Sequence, residues 1–224
     1  MMILECAQKQ DLEKMNAEEC LEWMFETFGS RHYLACSFQA TTSVLAHMAS
    51  NLNPEARFFY IDTDVLFPET YQTKAELEHE LGIKFDRYHQ LSLEEQARDH
   101  GSELWKSDPD LCCTLRKVTP MHTALETVDC WAGGVRRSDS ADRAGTPKLM
   151  QDPRFGILKL NPLADWDEKD VWNYIAENRL PYNPLHDQGY PSIGCTHCTA
   201  PVAPGADPRS GRWAGHAKSE CGIN

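Results

Sequence analysis

No stretch of the 224-residue sequence approaches the roughly 20 consecutive apolar residues that a membrane-spanning helix needs. The N-terminal segment, MMILECAQKQDLEKM, also lacks the basic region and the long apolar run of a secretory signal peptide. Hydrophobic residues nevertheless make up 41% of the chain, which is enough for a buried core. We therefore expect a globular cytoplasmic protein with no membrane partner.

The chain also lacks a surplus of positive charge, because 34 acidic residues outnumber 22 basic ones and the net charge is −12. A general nucleic-acid-binding protein carries a broad basic surface, so we expect no nucleic-acid partner. Basic residues occur instead in local clusters, namely Arg116 with Lys117, Arg136 with Arg137, and Arg209 with Arg212. A bound anion is expected at such a cluster, and the alternative for each one is an ordinary solvated surface.

Short apolar runs alternate with amphipathic segments along most of the sequence. Strands are predicted at HYLACSF, RFFYID, IKFDRYH, VDCWAGG and FGILKLNPL. Helices are predicted at NAEECLEWMFETFG, VLAHMASNL (after a polar turn, QATTS), PETYQTKAELEHELG, SLEEQARDHG and DWDEKDVWNYIAENR, the last beginning at Asp165. This alternation predicts an α/β fold with a mostly parallel sheet, covered on both faces, that binds ligands at the carboxyl ends of its strands.

Neither an internal repeat nor a low-complexity linker divides the chain, so we predict a single domain over residues 1–224. Residues 1–30 are expected to form an N-terminal helical segment. After Pro181 the chain is rich in Gly and Pro and is predicted to be a loop-rich C-terminal extension. Its last part, 205–224, is predicted to be a mobile tail, because chain ends are usually mobile.

The turn after the first predicted strand, SFQATTSV, is a candidate anion site that includes Ser37. Free backbone N–H groups converge where a strand, a short turn and a helix follow one another. The turn is not a Walker A loop, because it lacks the Gly-Lys pair and the spacing. The second strand ends in DTDVLFPETY, where Asp62 and Thr63 would face the same crevice or serve as a helix-capping signal.

Nine cysteines, at positions 6, 20, 36, 112, 113, 130, 195, 198 and 221, are an odd and high number. In a reducing cytosol, metal binding or catalysis explains them better than a disulfide framework. Cys36 and Cys130 lie in apolar runs and are predicted to be core residues. Cys221 lies close to the end of the sequence, where a thiol could enter and leave a pocket.

Four cysteines form two pairs, in DPDLCCTLRK and SIGCTHCTAP. The C-x-x-C spacing is typical of ligands to zinc and to iron–sulfur clusters. An adjacent Cys-Cys pair is unfavourable in a zinc ribbon, whereas a cubane cluster offers four corner irons to neighbouring ligands. The spacing therefore favours a [4Fe-4S] cluster over zinc, held by Cys112, Cys113, Cys195 and Cys198. Lys117, one helical turn after Cys113, would place positive charge near these thiolates.

These motifs together resemble the assimilatory sulfonucleotide reductases of the thioredoxin-dependent, iron–sulfur type. From about Leu34 onwards the chain carries SFQATTSVL, DTDVLFPETY, CCTLRKVTP, GVRRSDSADRA, YPSIGCTHCTAPV, DPRSGRW and KSECGI in the order found in that family. The resemblance implies the Rossmann-like parallel sheet of the adenine-nucleotide α-hydrolase (PP-loop) group. It also implies reduction of adenosine 5′-phosphosulfate (APS) or of its 3′-phosphorylated form (PAPS).

By the same resemblance, Cys221 is the nucleophile that attacks the sulfate sulfur, expels AMP and leaves an S-sulfonate, from which thioredoxin or glutaredoxin releases sulfite. His216 and Lys218 are expected to lower the pKa of Cys221, or else to form a solvated basic tail. The implied substrate-binding residues are Ser37, Gln39, Asp62, Thr63, Lys117, Arg136, Arg137, Arg209 and Arg212. Members with this cysteine tetrad generally prefer APS, so APS is the expected substrate. A homo-oligomer is left open.

The sequence departs from the family pattern at two places. The family loop commonly reads S-F-G-A-E-D, whereas Gln39, Thr41 and Thr42 stand here for Gly, Glu and Asp. The altered loop could admit a 3′-phosphate, because Thr hydroxyls are donors where acids would repel it. The family tail continues E-C-G-L-H, and Asn224 stands at the histidine position.

Two other functions would account for part of the sequence pattern. A PP-loop ATP pyrophosphatase with an iron–sulfur cluster, active in sulfur transfer, would usually show S-G-G-x-D-S after the first strand, and SFQATTS lacks those glycines. A non-enzymatic iron–sulfur or redox-sensing module would explain the tetrad, but not the arginines or Cys221.

Overall fold

The computed structural model describes residues 11–216, 218 and 220–223. Residues 1–10 of the predicted N-terminal segment, with Cys6, lie outside the described residues, as does Asn224. Of the helices in the described part of the chain, none has the length and apolar composition needed to cross a membrane.

The main helices begin and end at residues with the expected capping chemistry. Asn16 and Glu19 form a reciprocal capping box at the start of the first helix, and Ser92 and Glu95 form another. The third helix begins at Pro68 and ends at Gly82, whose φ is +66°. The helices are α1 (Ala17–Phe28), α2 (Ala40–Leu52), α3 (Pro68–Leu81), α4 (Leu93–His100), α5 (Leu104–Ser107), α6 (Pro109–Cys113), α7 (Thr119–Leu125) and α8 (Glu168–Asn178).

Two helix starts differ from the prediction. The predicted polar turn QATTS is helical from Ala40, because Gln39 serves as the N-cap residue with extended backbone. The last long helix begins at Glu168 rather than Asp165, because Asp167 and Asp170 form a capping box that fixes its first turn.

The strands are β1 (His32–Ala35), β2 (Phe58–Ile61), β3 (Phe85–Tyr88), β4 (Cys130–Ala132), β5 (Leu149–Gln151) and β6 (Leu158–Leu160). Within the described residues they form one six-stranded sheet in the order β3-β2-β1-β4-β6-β5. All neighbouring pairs are parallel except β5 with β6. The predicted, mostly parallel α/β sheet is therefore confirmed, with an antiparallel edge strand, β5, that the sequence pattern did not reveal.

Alternate residues of the central strands face opposite sides of the sheet, as the strand geometry requires. Leu34 and Phe58 join a buried cluster with α1, α2 and α8 on one face. Tyr33, Phe59 and Trp131 join a second cluster with α7 on the other face. Helices therefore cover both faces, and only the strand ends are left for a ligand.

The chain passes from β1 to β2 on one side and returns later to β4 on the other side of β1. The loops after β1 and β4 therefore diverge at the carboxyl edge of the sheet. In open α/β sheets such a switch point opens a crevice that binds ligands.

Candidate active site

A cavity of about 780 Å³ opens at this switch point. The loop after β1, the end of β2, the loop after β4 and the C-terminal segment line it. Among the predicted site residues it brings together Ser37, Gln39, Thr63, Lys117, Arg136, Arg209, Arg212 and Cys221. The cavity is large enough for a nucleotide-sized ligand.

Thr42 organises the loop after β1. Its Oγ1 accepts hydrogen bonds from the backbone N–H groups of Ser37 and Phe38, both at 3.1 Å. Phe38 has a φ of +56°, an uncommon conformation for a residue other than glycine. These two hydrogen bonds hold the loop in that conformation.

The same loop is fastened to the C-terminal half of the chain. The Gln39 amide oxygen accepts the backbone N–H of Ile193 at 2.9 Å, and the Gln39 amide nitrogen donates to Ser37 Oγ at 3.3 Å. His186 Nε2 accepts the backbone N–H of Ala40 at 3.2 Å. Gln39 therefore connects two parts of the cavity wall instead of leaving its amide free.

The two residues that follow β2 lie in different surroundings. Thr63 lines the cavity, and its Oγ1 lies 3.3 Å from Cys195 Sγ. Asp62 is not among the lining residues; its carboxylate accepts hydrogen bonds from the Tyr71 hydroxyl at 2.7 Å and from Arg87 Nε at 2.6 Å. Burial acts to raise the pKa of Asp62, but these donors outweigh it and lower the pKa.

The adjacent arginines of GVRRSDSADRA also separate. Arg136 lines the cavity, whereas Arg137 donates to Glu13 at 2.6 Å and to the Thr146 carbonyl at 2.9 Å, outside the cavity lining. One terminal nitrogen of Arg136 is buried and has no hydrogen-bond partner within the described part of the chain. A buried guanidinium nitrogen without a partner is costly, and a bound anion would remove that cost.

Cys221 is buried in the cavity wall. Burial acts to raise the pKa of this thiol, but the positive charges of Lys117 and Arg212 and a backbone hydrogen bond involving Ile223 outweigh it and lower the pKa. Lys218, which the sequence suggested for this task, instead pairs with Asp110, while His216 is exposed. The activating charges therefore come from Lys117, which is distant in the sequence, and from Arg212 in the same C-terminal segment.

The four tetrad cysteines line a second, small cavity, together with Trp105, Arg116, Lys117, His197 and Trp213. Burial raises the pKa of Cys112 to about 12 and that of Cys198 to about 11. Such thiols ionise only next to a strong positive charge, and a coordinated metal supplies one. Among the described residues, no three ligand side chains converge on one point as a single metal ion requires. The thiol set itself fits a metal-bearing group that offers several binding positions.

A π-helical turn, Thr114–Val118, joins α6 to α7 directly after the Cys112–Cys113 pair. It buries two consecutive basic residues, Arg116 and Lys117. Burial opposes the charge on Lys117, but the sulfur atoms of Cys195 and Cys221 outweigh it and raise the pKa of the ammonium group. Lys117 and Trp213 line both cavities, so the two sites share part of their walls.

The sequence model of the phosphoadenosine phosphosulfate reductase domain family matches residues 31–201. The chain belongs to this family. The predicted family is therefore confirmed, and the matched segment carries the loop after β1 and both cysteine pairs of the reductase domain.

Among the relatives of this reductase domain, adenosine 5′-phosphosulfate reductase of Lysinibacillus sphaericus is 46% identical over 211 residues, which are 93% of this chain and 90% of the relative. A crystal structure of phosphoadenylyl-sulfate reductase from Candida auris, a phosphate complex, has a TM-score of 0.76 at 34% identity and covers 85% of this chain and 93% of its own. The FMN adenylyltransferase of Candida glabrata in complex with ATP has a TM-score of 0.60 at 14% identity, with coverages of 90% and 68%. That last likeness shows the fold alone.

Three residues of the reductase cavity were not identified from the sequence. Arg143, within the quoted GVRRSDSADRA motif, pairs with both Asp139 and Glu220. Glu220 lies next to Cys221, and His186 lies in a short 3-10 helix, Pro184–Gln188. The quoted motifs GVRRSDSADRA and KSECGI contain Arg143 and Glu220, but nothing in the sequence singles out His186.

Proposed function

We propose that the protein reduces APS to sulfite and AMP with electrons from thioredoxin or glutaredoxin, as a step of sulfate assimilation and cysteine biosynthesis in the cytoplasm. The observation that carries this proposal is the position of Cys221. Its thiol lies in the wall of a nucleotide-sized cavity, its pKa is lowered, and arginines line the same cavity. Relatives that are 42–46% identical over most of the chain bear the name of this activity.

Binding is assigned to the two halves of the cavity. Ser37, Gln39 and Thr41 line the cavity where α2 begins and would face the nucleotide phosphate. The backbone N–H groups of Ser37, Phe38 and Ala40 are already taken by Thr42 and His186. Arg136, Arg143, Arg209 and Arg212 would hold the sulfate end, where planar guanidinium groups suit oxyanions. The unpartnered nitrogen of Arg136 supports this assignment.

In the first step the Cys221 thiolate attacks the sulfate sulfur of APS. A sulfur–sulfur bond forms, the bond between that sulfur and the bridging oxygen breaks, and AMP leaves with the electron pair. Lys117 and Arg212 lower the pKa of the thiol and so favour the thiolate that attacks. The surrounding arginines would stabilise the negative charge that develops on the leaving phosphate.

In the second step a thiolate of reduced thioredoxin attacks Cys221 Sγ, and sulfite leaves with the electron pair of the sulfur–sulfur bond. The second thioredoxin thiol then attacks the mixed disulfide and restores Cys221. Thioredoxin is oxidised by two electrons and the sulfate sulfur is reduced by two. Since Cys221 is buried here, this step requires the tail 205–224 to move, as the sequence suggested.

We assign Cys112, Cys113, Cys195 and Cys198 as ligands of a [4Fe-4S] cluster, because they surround one cavity and burial raises the pKa of Cys112, Cys113 and Cys198. When bound, such a cluster would supply fixed negative charge next to Lys117. Anaerobically purified protein should then be brown and contain four irons per chain. Colourless protein with one tightly bound zinc would contradict the assignment.

Replacement of the nucleophile tests the proposal. Cys221→Ser should still bind AMP and keep its iron, but lose sulfite production by several orders of magnitude, because a serine hydroxyl is almost fully protonated near neutral pH. Wild-type protein given APS without thioredoxin should gain the mass of one SO₃ group on the C-terminal peptide. An adduct on another cysteine, or none during turnover, would refute the role of Cys221.

PAPS is the second candidate substrate, because the Candida auris protein with a TM-score of 0.76 is named a PAPS reductase. The comparison of kcat/KM for APS and PAPS decides between them. A higher value for PAPS would overturn the choice of APS.

A further inference from the structure

Glu220 places a carboxylate inside the reductase cavity, next to the nucleophile. Its Oε1 accepts hydrogen bonds from Arg143 Nε at 3.0 Å and from a terminal nitrogen of Arg143 at 2.7 Å. Its Oε2 lies 3.0 Å from a terminal nitrogen of Arg209, an ion pair without hydrogen-bond geometry. The proposed sulfate-binding groups therefore already hold an anion, which belongs to the chain itself.

The charges around Glu220 form an alternating series, Arg136–Asp139–Arg143–Glu220–Arg209. All five side chains are largely buried, with exposed fractions between 13% and 26%. Ion pairs in such surroundings are less screened by water and salt than surface pairs. Asp139 pairs with arginines three and four residues away in the sequence, whereas Glu220 pairs with an arginine that precedes it by 77 residues.

Because Glu220 directly precedes Cys221, whatever holds this carboxylate also holds the nucleophile. The backbone of two adjacent residues cannot leave the cavity separately. Within the described residues, the Glu220 side chain makes its polar contacts with Arg143 and Arg209.

We infer that Glu220 is a positioning residue that keeps Cys221 in the cavity through Arg143 and Arg209, and that the anionic end of the substrate displaces it. The second half of this inference rests on the proposed function, because it takes the substrate anion to bind at the same arginines. Binding of substrate would thus loosen the tail at Glu220, so that Cys221 can move onto the sulfate sulfur and, once it carries the sulfonate, out to the reductant.

The first experiment measures the rate at which iodoacetamide labels Cys221 in the ligand-free protein, read on the C-terminal peptide by mass spectrometry. Rates are taken over a range of pH, because the plateau at high pH reports access to the thiol separately from its pKa. Glu220→Gln should raise the plateau about tenfold, since a neutral amide loses the charge assistance of its hydrogen bonds. Glu26→Gln, on an exposed face of α1, makes the same charge change and should leave the plateau unchanged.

Arg143→Gln completes a double-mutant cycle. If Glu220 acts through Arg143, the double variant should label no faster than the faster single variant. If Arg143→Gln does not fold, as judged by circular dichroism, Arg143→Lys takes its place, because lysine keeps the charge but loses the two-pronged contact. A plateau for Glu220→Gln equal to that of the wild type, or additive effects in the cycle, would refute the positioning role.

The competition is tested with sodium sulfate at constant ionic strength. Sulfate should raise the labelling plateau of the wild type and leave that of Glu220→Gln unchanged, and a wild-type plateau that stays level or falls would contradict the displacement. In turnover, Glu220→Gln should lower KM for APS, because the variant has lost the competitor for Arg143 and Arg209. Labelling needs no turnover, so this inference and the proposed reaction can fail independently.

Discussion

The stability that Thr42 contributes can be estimated from the two hydrogen bonds that its hydroxyl accepts. Thr42→Val keeps the shape of the side chain but removes the acceptor of the Ser37 and Phe38 backbone N–H groups. Phe38 is buried, so its unpaired N–H should cost about 1–3 kcal/mol. Ser37 is exposed, and water can replace the lost partner. We expect a loss of about 2 kcal/mol in the free energy of unfolding.

For a chain of 150–250 residues, 1 kcal/mol shifts the melting temperature by about 2–4 °C, so Thr42→Val should melt about 4–8 °C lower. The assay is the tryptophan fluorescence melt, without air and at one heating rate for all variants. Thr123→Val is the matched control, because its exposed hydroxyl makes only one hydrogen bond, of 3.5 Å, within its own helix. Thr42→Asp restores the acid of the family pattern and should recover much of the loss. Equal melting temperatures for Thr42→Val and Thr123→Val would refute the reasoning.

Three further predictions follow from the packing and the charges. Gly211→Ala should lower the iron content to less than half, because its new Cβ would clash with the backbone carbonyl oxygen of Ala200, two residues after Cys198, whereas Gly145→Ala, in open space, should keep full iron. Burial lowers the pKa of His186, so below about pH 6.5 the unfolded chain binds more protons than the folded one and the protein loses stability. His186→Gln removes this effect, so its melting temperature should fall less than that of the wild type between pH 7.5 and 5.5. Identical falls would contradict this. Arg136→Gln should raise KM for APS about tenfold, whereas Arg137→Gln, outside the cavity lining, should keep KM within about twofold, and the reverse order would refute the assignment.

The elements that sequence analysis predicted well are those specified by neighbouring residues. The capping boxes at Asn16 and Ser92, and the Pro68 start of α3, lie within a few residues of the helices they begin. Strand β5 (Leu149–Gln151) was missed, because three residues show no alternation and its pairing depends on β6. The π-helical turn was missed for a similar reason, since its composition does not differ from that of an ordinary helix.

The same distinction holds for the site. The cysteine pairs were found because their spacing is a local pattern. The charges that lower the pKa of Cys221 were expected from His216 and Lys218, unless these formed a solvated basic tail. They come instead from Lys117, which the fold brings close, and from Arg212. Arg143 could not be selected from its segment alone, because its partner Glu220 lies 77 residues further along the chain.

The wall shared by the two cavities links their binding equilibria. Lys117 and Trp213 contact both spaces, so an occupant of the thiol cavity and a nucleotide in the larger cavity each favour particular positions of the same two side chains. Thermodynamic linkage makes such an effect reciprocal. If a metal group in the thiol cavity raises the affinity of the larger cavity for nucleotide by some factor, bound nucleotide must raise the affinity of the thiols for the metal group by the same factor. AMP should therefore slow the loss of the metal group in air, and protein stripped of that group should bind AMP more weakly.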